Sequence, residues 1–258
     1  MALDWRWYHL MLSNIISRIG IFNPAATSFV PSDISGLSLW LKANDAATVH
    51  ATGGLVDTWD DKSGNGYNAT SSTSARPTTG TRTINGKNAF DFDGTSDFMS
   101  LPAGVLSLPS GANTIFITFQ ADNTGDAQQE LLAMLSGGGG FRYEVGFTTT
   151  NLVVQNRTTS TSPTSQADTR DTTVKTVGFR RSGTAITPFI DGVQGTPGSN
   201  SENLTAASAV IGAQNTTTNR LNGLLAEIIL YNSSLSDSDM NRVGNYLNTE
   251  WGGGWTNI

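Results

Sequence analysis

The sequence predicts an all-β domain made of two packed antiparallel sheets, and three observations carry that expectation. Apolar and polar residues alternate at period two in Leu37–Lys42, in Phe90–Asp93 and in Ile115–Phe119. Clusters of Gly, Asn, Asp, Ser and Thr separate these runs from others like them. More than eight such runs follow Leu37, enough for a two-sheet sandwich. At 258 residues the chain exceeds an average domain of roughly 100–150 residues, yet one large sandwich absorbs most of it.

The first thirty residues differ from the rest. Trp5, Trp7, Leu10, Met11, Ile15 and Ile19 make the segment dense in large apolar side chains, and Trp7, Met11, Ile15 and Ile19 recur every fourth residue, as one helix face would. Asp4, Arg6, His9, Asn14 and Arg18 interrupt it, so it is not a bilayer span of about 20 apolar residues. A helix apolar on more than one stripe needs burial on more than one side. The leading expectation is therefore a helical anchor, residues 1–30, docked on a partner chain. Packing against its own sandwich, or service as a signal or membrane-surface helix, are the competing readings. Asn23-Pro24, Pro31 and Ser32-Asp33 punctuate the chain, placing a linker at 31–35 and the main domain at 36–258.

Further strands are expected at 130–135, 141–147, 152–155, 173–180, 185–190, 209–211 and 224–231. Asp93-Gly94, Asp191-Gly192, Asn85-Gly86 and Asn222-Gly223 are dipeptides suited to tight hairpins. Gly137 to Gly140 read as a flexible connection; with no following Lys-Ser/Thr and no helix, they are not a phosphate loop. One helix closes the chain. Ser236 or Asp237 caps it, Met240, Val243, Leu247 and Trp251 share a face, and Gly252 stops it. It is expected to cover an open edge or end of the sandwich.

Composition narrows the function. Charged residues are only 14% of the chain and the formal net charge is -6, so the clustered Lys and Arg of a nucleic-acid binder are missing. There is no cysteine, which excludes a disulfide-stapled fold and thiolate metal sites. A surface rich in Ser, Thr, Asn and Gly stays soluble through neutral hydrogen-bonding groups.

Four stretches resemble the laminin-G-like/concanavalin A-like jelly-roll domains. They are Gly36–Ala43 with Trp59–Ala69, then Ala89–Leu101, then Phe189–Val193 with its hydrophobic-Asp-Gly element, and finally the closing strand and helix from Leu221 to Asp239. Together they span about residues 36–252. The resemblance implies a jelly-roll sandwich. It also implies company among glycan-binding, adhesive, enzymatic and structural proteins, so fold alone does not fix function. Virion proteins of bacteriophages often carry such a domain behind a short anchor.

Catalysis is not expected from these residues. Of the five glutamates, Glu130, Glu144, Glu202, Glu227 and Glu250, none forms the alternating acidic triad of the related hydrolases, and His9 and His50 lie in separate segments. Glu227 is expected as a sheet residue meeting Arg or backbone donors. Asp57, Asp60, Asp61 and Asp93 carry two readings: hard oxygen ligands for Ca2+, or carboxylates that nucleate turns, with the turn reading favoured. Trp59, Tyr67, Asn65 and Tyr143 flank loops and are candidate glycan contacts, an aromatic platform beside amide groups, although Trp59 suits a sandwich core equally.

The leading expectation is a virion structural protein of a tailed phage, a head decoration or tail-fibre component in many copies. Residues 1–30 would dock on other virion proteins while the sandwich faces outward toward host glycans. A secreted or cell-surface bacterial glycan-binding module is the alternative.

Overall fold

The computed structural model describes residues 28–105, 107–108, 111–122, 128–135, 142–148, 151–156, 164–167, 171–199, 204–205 and 208–258. Trp5, Trp7, Leu10, Met11, Ile15 and Ile19 of the expected anchor lie outside the described residues, as does the glycine run 137–140.

Two antiparallel sheets form the body. In the first, Leu37–Lys42 pairs with Asn222–Tyr231, which pairs with Ala112–Ala121, followed outward by Val174–Ser182, Ala185–Ile190 and Val193–Gln194. In the second, the order runs Thr164–Ala167, Asn151–Asn156, Arg142–Thr148, Gln128–Leu135, Ser208–Ile211, Met99–Leu101, Ala69–Thr70, Leu55–Trp59 and Val49–Thr52. Period-two alternation sends Leu39, Leu41, Ile115, Ile117, Ile228 and Leu230 inward from the first sheet. They meet Trp59, Met99, Leu132, Met134, Val145 and Ile211 from the second in one apolar core.

The first sheet is apolar on its other face too, and this decides where the helix goes. Trp40, Phe116, Ile229 and Tyr231 point away from the sandwich core and bury against Met240, Val243, Leu247 and Trp251 of the helix α1 (Asp237–Trp251). The helix therefore covers a sheet face, not the edge or end expected from sequence. A third layer is what a sheet with two apolar faces requires. Ser236 caps α1, its Oγ accepting from Asp239 N at 3.2 Å, and Gly252 ends it in the left-handed region at φ 73°. The chain then folds back, burying Trp255 against Phe116, with Asn241 clamping the backbone of Ile258 from both sides. Among the described residues no helix is long and apolar enough to cross a membrane.

A bulge in the closing strand resets its alternation. Thr118 faces Glu227 but Phe119 faces Leu225, so Ala226 is the extra residue. Leu225 and Ile228 can then both point into the sandwich, while Ala226 stays under α1.

The turns follow expectation in part. Asn85-Gly86 closes the Thr83–Ile84/Lys87–Asn88 hairpin and Asp191-Gly192 closes Ala185–Ile190 onto Val193–Gln194, each with two positive φ angles. Asp93-Gly94 is different. Phe90–Asp93 joins the first sheet and Met99–Leu101 the second, so the segment between them crosses the sandwich instead of closing a hairpin. Asn222-Gly223 lies inside the closing strand, because Gln120 and Ala121 continue pairing alongside it. Residues 31–35, expected as a linker, are tied to the body: Pro31 is buried and its carbonyl accepts from Tyr231 OH at 2.8 Å.

Candidate functional site

The structure disperses the residues that sequence had grouped as glycan contacts. Trp59 is fully buried, its ring 4.5 Å from that of Phe90, so it belongs to the core and cannot serve as a platform. Tyr67 is half-buried against the same core. Asn65 is a pin: its Nδ2 donates to the carbonyls of Leu37 and Ser38 at 3.2 and 3.0 Å, tying the loop to the first strand. Tyr143 lies on Arg142–Thr148, and its side chain is outside the described residues.

The four aspartates do not fit a calcium shell, which takes roughly six to eight oxygens on one ion. Asp61 turns both oxygens onto donors of its own loop and of strand Leu37–Lys42: Trp40 N, Ser63 N, Ser63 Oγ and Tyr67 N, at 2.7 to 3.1 Å. Asp60 faces His50 at 2.7 Å, and Asp57 faces Arg76 at 2.7 Å and Thr52 at 2.8 Å. Asp93 accepts from the backbone of Thr95, Ser96 and Asp97. Each carboxylate is occupied with different neighbours, and no three metal-ligating side chains gather among the described residues. Asp97 is buried beside Asp93, and burial together with the Asp93 charge pushes its pKa up to about 6.

A site that sequence reasoning missed lies between α1 and the first sheet. Glu227 is fully buried there. Its Oε1 accepts from Trp40 Nε1 at 2.6 Å and Tyr246 OH at 2.9 Å, and its Oε2 from Trp251 Nε1 at 2.6 Å. Sequence suggested Arg or backbone donors; two indoles and a phenol do the work instead, because the bulge turns Glu227 toward the helix. Burial pushes its pKa up to about 7, against the pull of Trp251, Lys42, Trp40 and Tyr246.

Tyr246 continues from this buried cage to the surface. With Phe29, Val30, Lys42, Arg242 and Glu250 it lines a groove of about 570 Å³. On the helix side the lining residues are Arg242, Asn245, Tyr246, Thr249 and Glu250, spaced i, i+3, i+4, i+7, i+8 as one face of α1. Phe29 meets Tyr246 edge-on at 6.1 Å, with the Arg242 guanidinium 4.6 Å from the Phe29 ring centre and Lys42 Nζ 5.4 Å from that of Tyr246. Glu250 is shared by Lys42 at 3.0 Å, Lys87 at 2.9 Å and Asn44 at 2.8 Å. Burial opposes its ionisation, but Lys87, Asn44 and Lys42 hold its pKa down to about 2. The stripe was visible in the sequence once the apolar face of α1 had been assigned, since it runs beside that face.

Two further glutamates share the outer face of the second sheet. Val145 and Phe147 point into the core, so Glu144 and Gly146 point out, and the Glu130 carboxylate lies over Gly146. Gln214, carried by the loop after Ser208–Ile211, donates to Glu144 at 2.6 Å, and Gln128 donates to Glu130 at 2.6 Å. Alternation about Val145 was the available signal for Glu144.

Comparison with known proteins follows from this architecture. A family model described as the concanavalin A-like lectin/glucanases superfamily matches residues 93–241, more than half of the chain. The chain belongs to that superfamily. No curated protein matches it. Among solved structures it is similar to Trypanosoma rangeli sialidase in complex with sialic acid, with a TM-score of 0.62, 15% identity, and coverage of 85% of this chain but 34% of the sialidase. It is also similar to the binding domain of botulinum neurotoxin serotype D, at TM-score 0.61, 12% identity, and 87% and 55% coverage. The serotype D/C binding domain gives 0.59, 14%, 87% and 56%. These likenesses show the fold. The chain spans about a third of the sialidase and about half of the toxin domains. One expectation is corrected here: the chain had been expected not to be an enzyme, yet the structures it resembles include sialidases. The superfamily sandwich occurs within enzymes, so it does not support an absence of catalysis, and at 15% identity it does not assign catalysis either.

The buried carboxyl makes a prediction of its own. Glu227 binds its proton more tightly folded than unfolded, so its contribution is fully present below about pH 4.5 and is lost as pH rises through about 7. The span is on the order of 3 kcal/mol. Asp97 acts with the same sign over a lower window, ending near pH 6. In Glu227→Gln the fall in melting temperature between pH 4.5 and pH 7 should flatten relative to the parent. Parallel curves would show that Glu227 does not titrate there.

Proposed function

We propose that this protein is an attachment module in which a lectin-like sandwich contacts saccharides and the leader ahead of Ser28 docks it onto a larger assembly; Phe29 and Val30, counted with the 1–30 anchor from sequence, pack on the protein's own sheet and helix. The observation that carries the reading is the superfamily sandwich, seen also in toxin binding domains and in a sialidase holding sialic acid. For the assembly we favour the surface of a tailed-phage particle, with many copies docked on other virion proteins as head decoration or tail fibre. Two features support this: an apolar leader interrupted by charges, and a body with only 14% charged residues whose surface is Thr- and Asn-rich. A secreted or cell-surface bacterial glycan-binding module is the alternative, favoured if the leader has no docking partner.

The test is cosedimentation of the full chain and of a variant lacking residues 1–27 with purified particles. The proposal expects the full chain to pellet with particles and the shortened one to stay folded in the supernatant. A full chain that ignores particles contradicts the virion docking. A shortened chain that unfolds shows the leader to be part of the core.

A further inference from the structure

We propose that the groove between α1 and Phe29–Val30 is a binding site for an acidic saccharide, one bearing a carboxylate. The proposal rests on the attachment reading and deepens it by naming the place and the ligand class. Three observations carry it.

The first is the division of the groove into two unlike walls. Phe29 and Val30 form an apolar side, and the exposed stripe of α1 offers guanidinium, amide and hydroxyl groups from Arg242, Asn245 and Thr249. A sugar ring has the same division, an apolar C–H face and a rim of hydroxyls, and the groove of about 570 Å³ has room for one or two such rings.

The second is charge. The protein carries a net charge of -6, yet Lys42 and Arg242 both border this groove. The single carboxylate among the lining residues, Glu250, is already divided between Lys42, Lys87 and Asn44. The local balance is thus positive against a negative background, which steers an anion here and away from the rest of the surface. Arg242 also meets Asp239 at 3.1 Å, but that pair is exposed and weakly held.

The third is rigidity. The Tyr246 hydroxyl is fixed on Glu227, which is fixed in turn by Trp40 and Trp251. Asn245 is held by Asn257 of the returning tail at 2.9 Å, and the Thr249 hydroxyl by the Asn245 carbonyl at 2.8 Å. A preformed wall loses little conformational freedom when a ligand arrives.

The test titrates the full chain with a tetrasaccharide ending in glucuronic acid and with the same tetrasaccharide ending in glucose. Arg242→Gln and Asn245→Ala serve as variants, both at exposed positions. The proposal expects the acidic ligand to bind at least tenfold tighter than the neutral one. It also expects amide-shift changes centred on residues 242–250, and a loss of at least tenfold in Arg242→Gln with unchanged melting temperature. Equal binding of both ligands overturns the acidic class. Binding that both variants leave intact, with shifts elsewhere, overturns the groove while the attachment reading stands. If neither tetrasaccharide binds and a broad glycan array is also blank, both readings fall.

Discussion

Replacing Glu227 with alanine should lower the melting temperature at pH 6 by roughly 10 °C, the largest single effect expected of a polar side chain here. The reason is what the carboxyl group leaves behind. Trp40 Nε1, Trp251 Nε1 and Tyr246 OH all point at it, and α1 shields them from water. Each orphaned donor costs about 1–3 kcal/mol, and breaking a buried polar network costs about 3–5 kcal/mol. At pH 6 the folded parent still holds the Glu227 proton, so the loss read there is that of the cage and not of a buried charge. Glu227→Gln keeps one acceptor oxygen and should lose less than half as much. Thermal unfolding of the three proteins at one pH checks this, and an alanine variant that melts with the parent would mean that the cage is not formed.

Trp59→Ala should be as damaging, by about 3–5 kcal/mol, since a fully buried indole leaves a cavity that its neighbours cannot fill. Trp59 sits where the two sheets meet, its ring tilted against that of Phe90, at the end of a strand and paired with Ala69. Chemical denaturation measures the loss directly. If the variant kept its stability and lost saccharide binding, Trp59 would be a platform after all and the packing described above would be wrong.

These residues show what the sequence makes legible. Strand Leu37–Lys42 was readable because Leu37, Leu39 and Leu41 recur at every second position, and Ala185–Ile190 because a hydrophobic-Asp-Gly turn bounds it. The closing strand was readable as a strand, but its run of apolar residues on both faces carried a further message, that a third layer must lie over the sheet. That layer is α1. Its apolar stripe, cap and glycine stop were all apparent, while its target was not, since periodicity tells which face is buried and not against what. Glu227 was hidden by the bulge at Ala226, which no local pattern announces. The aspartate cluster left two readings open, with turns favoured, for a different reason: carboxylates that pin loops and carboxylates that hold cations use the same residues at the same spacings, and only their donors distinguish them. The groove depends on Phe29 and Lys42 meeting Tyr246 from more than two hundred positions away, beyond the reach of a linear reading.

Saccharide recognition, proposed from the superfamily fold and the positively balanced groove, is tested most directly by a glycan array probed with the full chain. The account predicts dose-dependent retention on at least one class of glycan, with carboxylate-bearing structures above their neutral counterparts. An array that stays blank at high protein concentration, with the protein folded throughout, would contradict it.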